Sequence, residues 1–281
     1  MTKIAFVQQG RFGNTLLQYI ACKIACLKFG FEYIDSIYKL QSPSLTIFEH
    51  ETDAIWARIN TPYSIHKWQE LNLILQPEQL ASDIVLHGFF QNIAFLNMYY
   101  MEIMSFFHRN NTDKINDSLR ICDIYTSPYL NAGDKDIVLH IRLDDFYYAG
   151  NNSNVLSHDY YVSALNKIKK TYLVEWKYIW IVIDTIKNER EHFYLNELIN
   201  QINNIGFTYI SIHSKSMLED WNMCRTATYF ISSNSTFAWT AILAGRAKMV
   251  VLPNTHFYSH QVIVPFKHIE TCIIIETVPI S

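Results

Sequence analysis

The sequence predicts an α/β fold in which parallel sheets carry helices on both faces. Short apolar runs rich in β-branched residues alternate with amphipathic stretches at the spacing of β-α-β units. Three of these runs end in segments rich in glycine, arginine or hydroxyl groups. Because ligands of open α/β sheets bind just past the carboxyl ends of the strands, those three segments are the candidate functional sites.

The amino-terminal part begins with a strand, a glycine loop and a helix. The strand covers residues 3–7, the loop 8–14 and the helix 15–28, where apolar residues recur at helical spacing. The same patterns predict strands at residues 31–34 and 83–90, a loop at 42–53 and a helix at 93–107. A turn-rich stretch at 128–136 marks the predicted boundary between two domains, residues 1–132 and 133–281.

The carboxyl-terminal part alternates strands and helices in a regular order. A buried strand begins at Ile137, and further strands are predicted at residues 178–183, 207–212, 229–232 and 248–252. Helices are predicted at residues 159–170, 189–205 and 217–226, and a fourth opens within 233–239 and ends at Gly245. A loop rich in Asn and Gly at 147–157 follows the first of these strands.

The composition argues against several classes of partner. A net charge of −3 without a lysine or arginine stripe argues against nucleic acid. The amino terminus lacks the pattern of a signal peptide, and no apolar run reaches the ~18 residues of a membrane span. The five scattered cysteines contain no CxxC pair, which favours core thiols over a zinc site. These features predict a cytoplasmic protein, either free or peripheral to a membrane.

The glycine loop after the first strand presents groups suited to a phosphate. Gly10 and Gly13 allow close backbone approach at a helix start, and Arg11 and Asn14 add a charge and an amide. The loop is neither GxGxxG nor a P-loop, because it has one glycine pair and no following Lys-Ser/Thr. A plain turn between strand and helix is the alternative.

The segment IVLHIRLDDF, residues 137–146, ends a buried strand with four titratable residues: His140, Arg142, Asp144 and Asp145. His140 and Arg142 share one face of the strand, because they alternate with apolar neighbours. Burying a guanidinium costs roughly several kcal/mol unless an anion meets it. The segment therefore predicts an anion site, with an Arg142–Asp144 ion pair as the alternative.

A hydroxyl-rich segment, SSNSTFAW at residues 232–239, joins a predicted strand to a helix. Ser and Thr at a helix start cap the unpaired N–H groups, and those groups with the hydroxyls can also hold a diphosphate. Asp184 follows another strand, where a carboxylate could accept two N–H donors from guanine. Each signal alone has a structural explanation, but one nucleotide-sugar would require all of them together.

The three segments resemble motifs of the fucosyltransferase superfamily. GRFGNTLLQYIACKIACLKFG resembles the amino-terminal motif, in the form found in protein O-fucosyltransferases, and HIRLDDF resembles the HxRRGD-type motif. FISSNSTFAWTAILAG resembles the NSTFSWW segment of α-1,2-fucosyltransferases, glycosyltransferase family 11, with Asp220 and Cys224 matching acidic and Cys positions before it. The resemblance implies a GT-B fold, with two Rossmann-like domains facing across a cleft. It also implies GDP-β-L-fucose as donor, inversion, and no metal or other cofactor.

The resemblance also implies roles for individual residues. Arg142 would hold the β-phosphate, and Arg11 and Asn14 would face the fucose and diphosphate from the other domain. Asp184, by its position, would contact guanine or ribose. The donor-binding residues expected in this way are Arg11, Gly13, Asn14, His140, Arg142, Asp184, Asn234, Ser235, Thr236 and Phe237. The expected catalytic residues are Arg142, together with Asp144, Asp145 or His140 as general base.

Departures from the family motifs leave alternatives open. Leu143 replaces a second basic residue, Asp144 replaces a glycine and Thr240 replaces a tryptophan. The resemblance implies a nucleotide-sugar donor and a glycan acceptor as partners. Because of the departures, the donor could be another GDP-sugar. A metal-dependent transferase using Asp144 and Asp145, and a non-catalytic nucleotide or glycan binder, are the rivals. A nicotinamide oxidoreductase is disfavoured because GxGxxG is missing. Residues 35–130 contain no motif that identifies the acceptor.

Overall fold

The computed structural model describes residues 1–40, 44–48, 83–91, 93–107, 110–116, 119–126, 129–143, 146, 155–173, 175–254 and 265–277. The chain forms two compact units, Met1–Ser127 and Pro128–Ser281. The sequence places the boundary five residues later, after residue 132, and the acceptor-side and donor-side roles of the two domains stay predictions. The predicted α/β class with parallel sheets is confirmed.

The first unit is built on a four-stranded parallel sheet. Its strands are β1 (Lys3–Phe6), β2 (Glu32–Tyr33), β3 (Ser44–Phe48) and β4 (Asp83–His87), in the order β2-β1-β4-β3. Its helices are α1 (Phe12–Phe29), α2 (Ile93–Met98), α3 (Tyr100–Phe106) and α4 (Ile121–Thr126), with a 3-10 turn at Ile37–Lys39. A short antiparallel pair, β5 (Lys114–Asn116) and β6 (Leu119–Arg120), completes the described elements.

Helix α1 is the buried centre of this unit. Most of its first fourteen residues are buried, which explains why apolar residues occur on nearly all of its faces. It ends at Gly30, which has a φ of 70° and donates its N–H to the Cys26 carbonyl. Glycine suits this left-handed position because it has no Cβ. Burial raises the pKa of the Cys22 and Cys26 thiols on this helix, and all five cysteines are free.

The second unit contains a six-stranded parallel sheet. Its strands are β7 (Ile137–Ile141), β8 (Ile179–Ile183), β9 (Ile210–His213), β10 (Tyr229–Ile231), β11 (Met249–Pro253) and β12 (Thr271–Ile275). Its helices are α5 (His158–Thr171), α6 (Glu189–Asn204), α7 (Met217–Thr226) and α8 (Thr236–Leu243). All five residues of β7 are buried, as the apolar run before His140 predicts.

The order of these strands contains one reversal. The order is β12-β11-β10-β7-β8-β9, so the chain first moves outward from β7 through β8 to β9 and then returns to β10 on the other side. This is the doubly wound arrangement in which the third, second, first, fourth, fifth and sixth strands are neighbours. The crevice beyond the carboxyl ends of β7 and β10 is where such sheets bind their ligands.

Several elements differ from the prediction. Residues 44–48 form strand β3 instead of loop, because pairing with β4 outweighs the turn-forming residues nearby; the other residues predicted as that loop lie outside the described part. The helix predicted at 93–107 is divided at Tyr99, although main-chain hydrogen bonds continue across the division. Strands β5, β6 and β12 and helix α4 are absent from the prediction. Within the described ranges, no helix is long and apolar enough to cross a membrane.

Candidate functional site

Two of the predicted segments meet at the reversal of the six-stranded sheet. His140 near the end of β7 and Ser233 just beyond β10 lie 2.7 Å apart, Nδ1 to Oγ, in a buried contact. The His140 ring stacks on Phe237 with 5.1 Å between ring centroids. The HIR and SNSTF segments, 91 residues or more apart in sequence, therefore form a single cluster.

His140 is held as a neutral imidazole. Its exposure is 5%, and burial, reinforced by the charge of Arg142, lowers its pKa to about 3. An imidazole with this pKa is a poor proton acceptor near neutral pH, so the geometry favours a role in positioning Ser233 and Phe237. The other two candidates for the general base, Asp144 and Asp145, lie outside the described residues.

A pH dependence of stability follows from this burial. The unfolded chain protonates His140 below a pKa of roughly 6.5, whereas the folded chain does so only near 3. Between these values the unfolded state binds more protons, so the free energy of unfolding decreases as pH falls. At pH ~5 this one group should lower the free energy of unfolding by about 2 kcal/mol. We expect His140→Gln to lose less stability than wild type between pH ~7.5 and ~5 in urea denaturation. Equal losses would contradict the burial of a neutral His140.

Arg142 follows the same strand and approaches a carboxylate on the next one. Its Nη1 lies 3.9 Å from Oδ2 of Asp184, which comes directly after β8. Its guanidinium also lies 5.7 Å from the centre of the Phe146 ring. The ion pair considered from sequence was with Asp144, which is outside the described part. Asp184 is about half exposed, and its Oδ1 accepts the N–H of Thr185. An ionised carboxylate has about four acceptor positions, so the half-exposed Asp184 can accept a further hydrogen bond beside these contacts.

The SNSTF segment forms the turn that starts helix α8. The Ser235 hydroxyl caps the helix by accepting the Phe237 N–H at 3.3 Å. Thr236 and Phe237 are half-buried in the first turn. Four consecutive residues before the helix have exposures of at most 8%: Ser232, Ser233, Asn234 and Ser235. The predicted capping role is therefore present, and the N–H groups of a helix start are also suited to an anion.

The structure gives physical reasons for two departures from the family motifs. Leu143 has an exposure of 2% and belongs to the hydrophobic core, so it does not supply the charge that a second arginine would. Thr240 accepts a hydrogen bond from the Trp221 indole at 3.2 Å and donates to the Phe237 carbonyl. This buried contact joins α7 to α8 in place of a second tryptophan.

Two titratable residues missing from the predicted site lie along the same edge of the sheet. Asp220 in the first turn of α7 accepts the Lys215 N–H, and its Oδ1 lies 3.4 Å from Nε2 of His213. Burial, with the nearby charge of Asp184, raises the pKa of Asp220 to about 6. The sequence contained a usable signal for the position of Asp220. Ser216 and Glu219 form a capping box that fixes the start of α7, and Asp220 lies in the first turn of that helix.

The glycine loop lies at the carboxyl edge of the first unit. Gly10 has a φ of 70°, and a Cβ there would overlap the Asn14 amide. The side-chain oxygen Oδ1 of Asn14 accepts a hydrogen bond from Nε2 of Gln91 at 2.8 Å, which ties the loop to the segment after β4. Arg11 is exposed and Gly13 is buried at the start of α1. The contact with Gln91 fixes Asn14, and both the plain turn and the phosphate-binding loop stay predictions.

A second contact joins the ends of β1 and β4. Nε2 of Gln9 lies 2.8 Å from Nε2 of His87, and because an amide nitrogen only donates, the imidazole nitrogen accepts. Gln18 donates to the carbonyls of Val7 and Gly88. His87 therefore has a structural partner within the first unit.

The groups at the edge of the six-stranded sheet can bind an anion. They comprise a guanidinium, buried hydroxyls and the main-chain N–H groups of a helix start. No group of three or more His, Cys, Asp or Glu side chains that could hold a metal occurs among the described residues. Asp144 and Asp145, the ligands that a metal-dependent rival would use, are not in that part.

Comparisons with known proteins give limited matches. No family model and no curated protein matches the sequence. Crystal structures of POFUT1, a GDP-fucose protein O-fucosyltransferase, are similar at low identity. The complex with GDP gives a TM-score of 0.40 at 10% identity, covering 97% of this chain and 98% of that one. A complex with GDP-fucose gives 0.39 at 11%, covering 88% and 95%. Such scores do not by themselves assign an activity.

Proposed function

We propose that the chain is an inverting glycosyltransferase that transfers L-fucose from GDP-β-L-fucose to a sugar hydroxyl, without a metal ion. The observation that supports this most is the position of the HIR and SNSTF segments. They occupy the two strand ends that flank the reversal of a doubly wound sheet, and the His140–Ser233 contact joins them. That position is the nucleotide site of such sheets.

In the proposed complex, the diphosphate lies between Arg142 and the start of α8. Arg142 contacts the β-phosphate, and the N–H groups and hydroxyls of Ser235, Thr236 and Phe237 contact the phosphate oxygens. Asp184 and Asp220 are the carboxylates near enough along the edge to contact the base or ribose. His140 holds the turn in place through its contacts with Ser233 and Phe237, and Asn234 is buried within that turn.

During transfer the acceptor oxygen bonds to the anomeric carbon as the bond to the β-phosphate breaks. The leaving group gains negative charge, which Arg142 and the helix start stabilise. The acceptor proton passes to a base, for which Asp144 and Asp145 are the proposed candidates because His140 is buried and has a low pKa. Stabilisation of the leaving diphosphate is expected to contribute more to the rate than the base does.

The proposal includes a GT-B arrangement of the two units. In it, the parallel sheets of residues 1–132 and 133–281 face each other across a cleft. The loop with Arg11, Gly13 and Asn14 then contacts the fucose and diphosphate from the acceptor side. This arrangement is consistent with the carboxyl-edge position of the loop in its own unit.

Binding of nucleotides tests the donor class. We expect GDP to raise the melting temperature by several degrees, whereas UDP, CMP and NAD do not. A ligand at a hundredfold excess over its dissociation constant adds about 2.7 kcal/mol to the free energy of unfolding. No shift with GDP, or an equal shift with NAD, would contradict the proposal.

Activity assays separate the remaining alternatives. Transfer from GDP-fucose that survives EDTA would remove the metal-dependent rival. Transfer from another GDP-sugar but not from GDP-fucose would change the donor. Binding of GDP without turnover, with any acceptor in a glycan panel, would indicate a non-catalytic binder. The burial of Leu143 gives this last candidate a structural basis, since one basic side chain of the motif is missing.

A further inference from the structure

Two adjacent tyrosines on α5 contact both strand ends at the reversal of the six-stranded sheet. The Tyr161 hydroxyl donates to the His140 carbonyl at 3.2 Å. The Tyr160 hydroxyl lies 2.6 Å from the Ser232 carbonyl and 3.1 Å from that of Val251. Both side chains are buried, with exposures of 2% and 1%, and no sequence motif pointed to either of them.

These contacts lie where the two strands separate. The register of β7 with β10 ends at the pair Leu139 and Ile231, whereas β7 continues to pair with β8 as far as Ile141. His140 and Ser232 are therefore the first residues beyond the shared ladder. Buried carbonyl groups at such a point need another donor, and the two tyrosine hydroxyls supply it.

The hydroxyls are suited to a permanent role of this kind. Burial raises the pKa of both tyrosines well above the usual value, so they remain protonated donors at any working pH. A tyrosine ring is rigid, and the two rings pack edge to face with 5.0 Å between centroids. The two side chains thus hold the ends of β7 and β10 at a defined separation.

We propose that Tyr160 and Tyr161 are positioning residues that set the separation of the Arg142 segment from the SNSTF turn. Tyr161 fixes the strand end that leads to Arg142, and Tyr160 fixes the chain that leads to Ser235. Neither touches the donor, and both act through main-chain carbonyls. The inference rests on the proposed function, because it assumes that a diphosphate lies between the two segments.

Phenylalanine substitutions test this role, with Tyr194→Phe as the matched control. Tyr194 is also buried in this core, and its hydroxyl donates to the main-chain carbonyl of Leu156, which precedes α5, rather than to a carbonyl at the end of β7 or β10. We expect all three variants to melt about 2–4 °C lower, from the loss of one buried hydrogen bond each. Only Tyr160→Phe and Tyr161→Phe should weaken GDP binding, about fivefold, with guanosine binding unchanged.

The outcomes separate this inference from the proposed function. If wild type does not bind GDP, the proposed function fails. If wild type binds GDP and all three variants bind it equally well, or lose GDP and guanosine to the same extent, the tyrosines are merely structural. In an Arg142→Ala background, Tyr161→Phe should have no further effect on GDP affinity, because it acts through the strand end that carries Arg142. An undiminished fivefold loss there would overturn the proposed route.

Discussion

Replacing Arg142 by lysine or alanine should reduce fucose transfer by about 100-fold to 1,000-fold while the protein remains folded. One preorganised donor to developing charge typically contributes about this factor. Lysine should not rescue activity, because it lacks the planar fork that binds two phosphate oxygens. The 3.9 Å ion pair with the half-exposed Asp184 contributes at most about 1 kcal/mol, and because the Arg142 side chain is only 12% exposed, alanine should also lose some packing. Steady-state kinetics and a melting curve measure both effects.

Arg246→Ala is the matched control for this substitution. Arg246 is exposed and precedes β11, so it lies at the opposite, amino-terminal edge of the same sheet. Its removal changes the net charge equally without altering the candidate site. If the two alanine variants had the same activity, or if Arg142→Lys turned over like wild type, Arg142 would not have the proposed role.

Replacing Gly10 by alanine should reduce activity on the order of 10-fold to 100-fold. An alanine at a φ of 70° is strained by about 1–2 kcal/mol. Its Cβ would also displace the Asn14 amide and with it the hydrogen bond from Gln91. Displacing a positioning group by about 1 Å can cost a factor of this size. The measurement is kcat/KM with GDP-fucose, alongside the melting temperature.

Gly30→Ala separates the two effects of that substitution. Gly30 ends the same helix with the same φ of 70°, but a Cβ there would meet no atom within 4 Å. Both variants carry the same backbone strain, Gly10→Ala should lose more stability because it also breaks the hydrogen bond from Gln91 to Asn14, and only Gly10→Ala should lose activity. Equal activity in both variants would mean that the contact between Gly10 and Asn14 has no part in transfer.

The sequence was informative where local pattern and burial agree. Helix α7 has the predicted ends, because Ser216 and Glu219 form a capping box at its start. Strand β7 has no polar residue before His140, so its burial on both faces could be read directly. Strand β3 could not be predicted in this way, because its five paired positions depend on β4, which lies about 40 residues further along the chain.

The candidate site was predictable in its segments but not in its contacts. Sequence order gives HIR and SNSTF as strand ends, yet only the strand order shows that β7 and β10 are neighbours. The partner of Arg142 could be sought from sequence only among near residues, whereas Asp184 is 42 positions away. Tyr160 and Tyr161 carry no polar signal because their hydroxyls bind main-chain carbonyls, which every residue possesses.

The most direct test is to measure the affinities of wild type and Arg142→Lys for GDP and for guanosine by calorimetry. If Arg142 contacts the diphosphate as proposed, Arg142→Lys should weaken GDP binding about 10-fold or more, since hydrogen bonds to charged groups contribute about 1.5–3 kcal/mol. Guanosine binding should be unchanged, because it lacks phosphates. Unaltered GDP affinity in Arg142→Lys, or an equal loss for both ligands, would contradict the account.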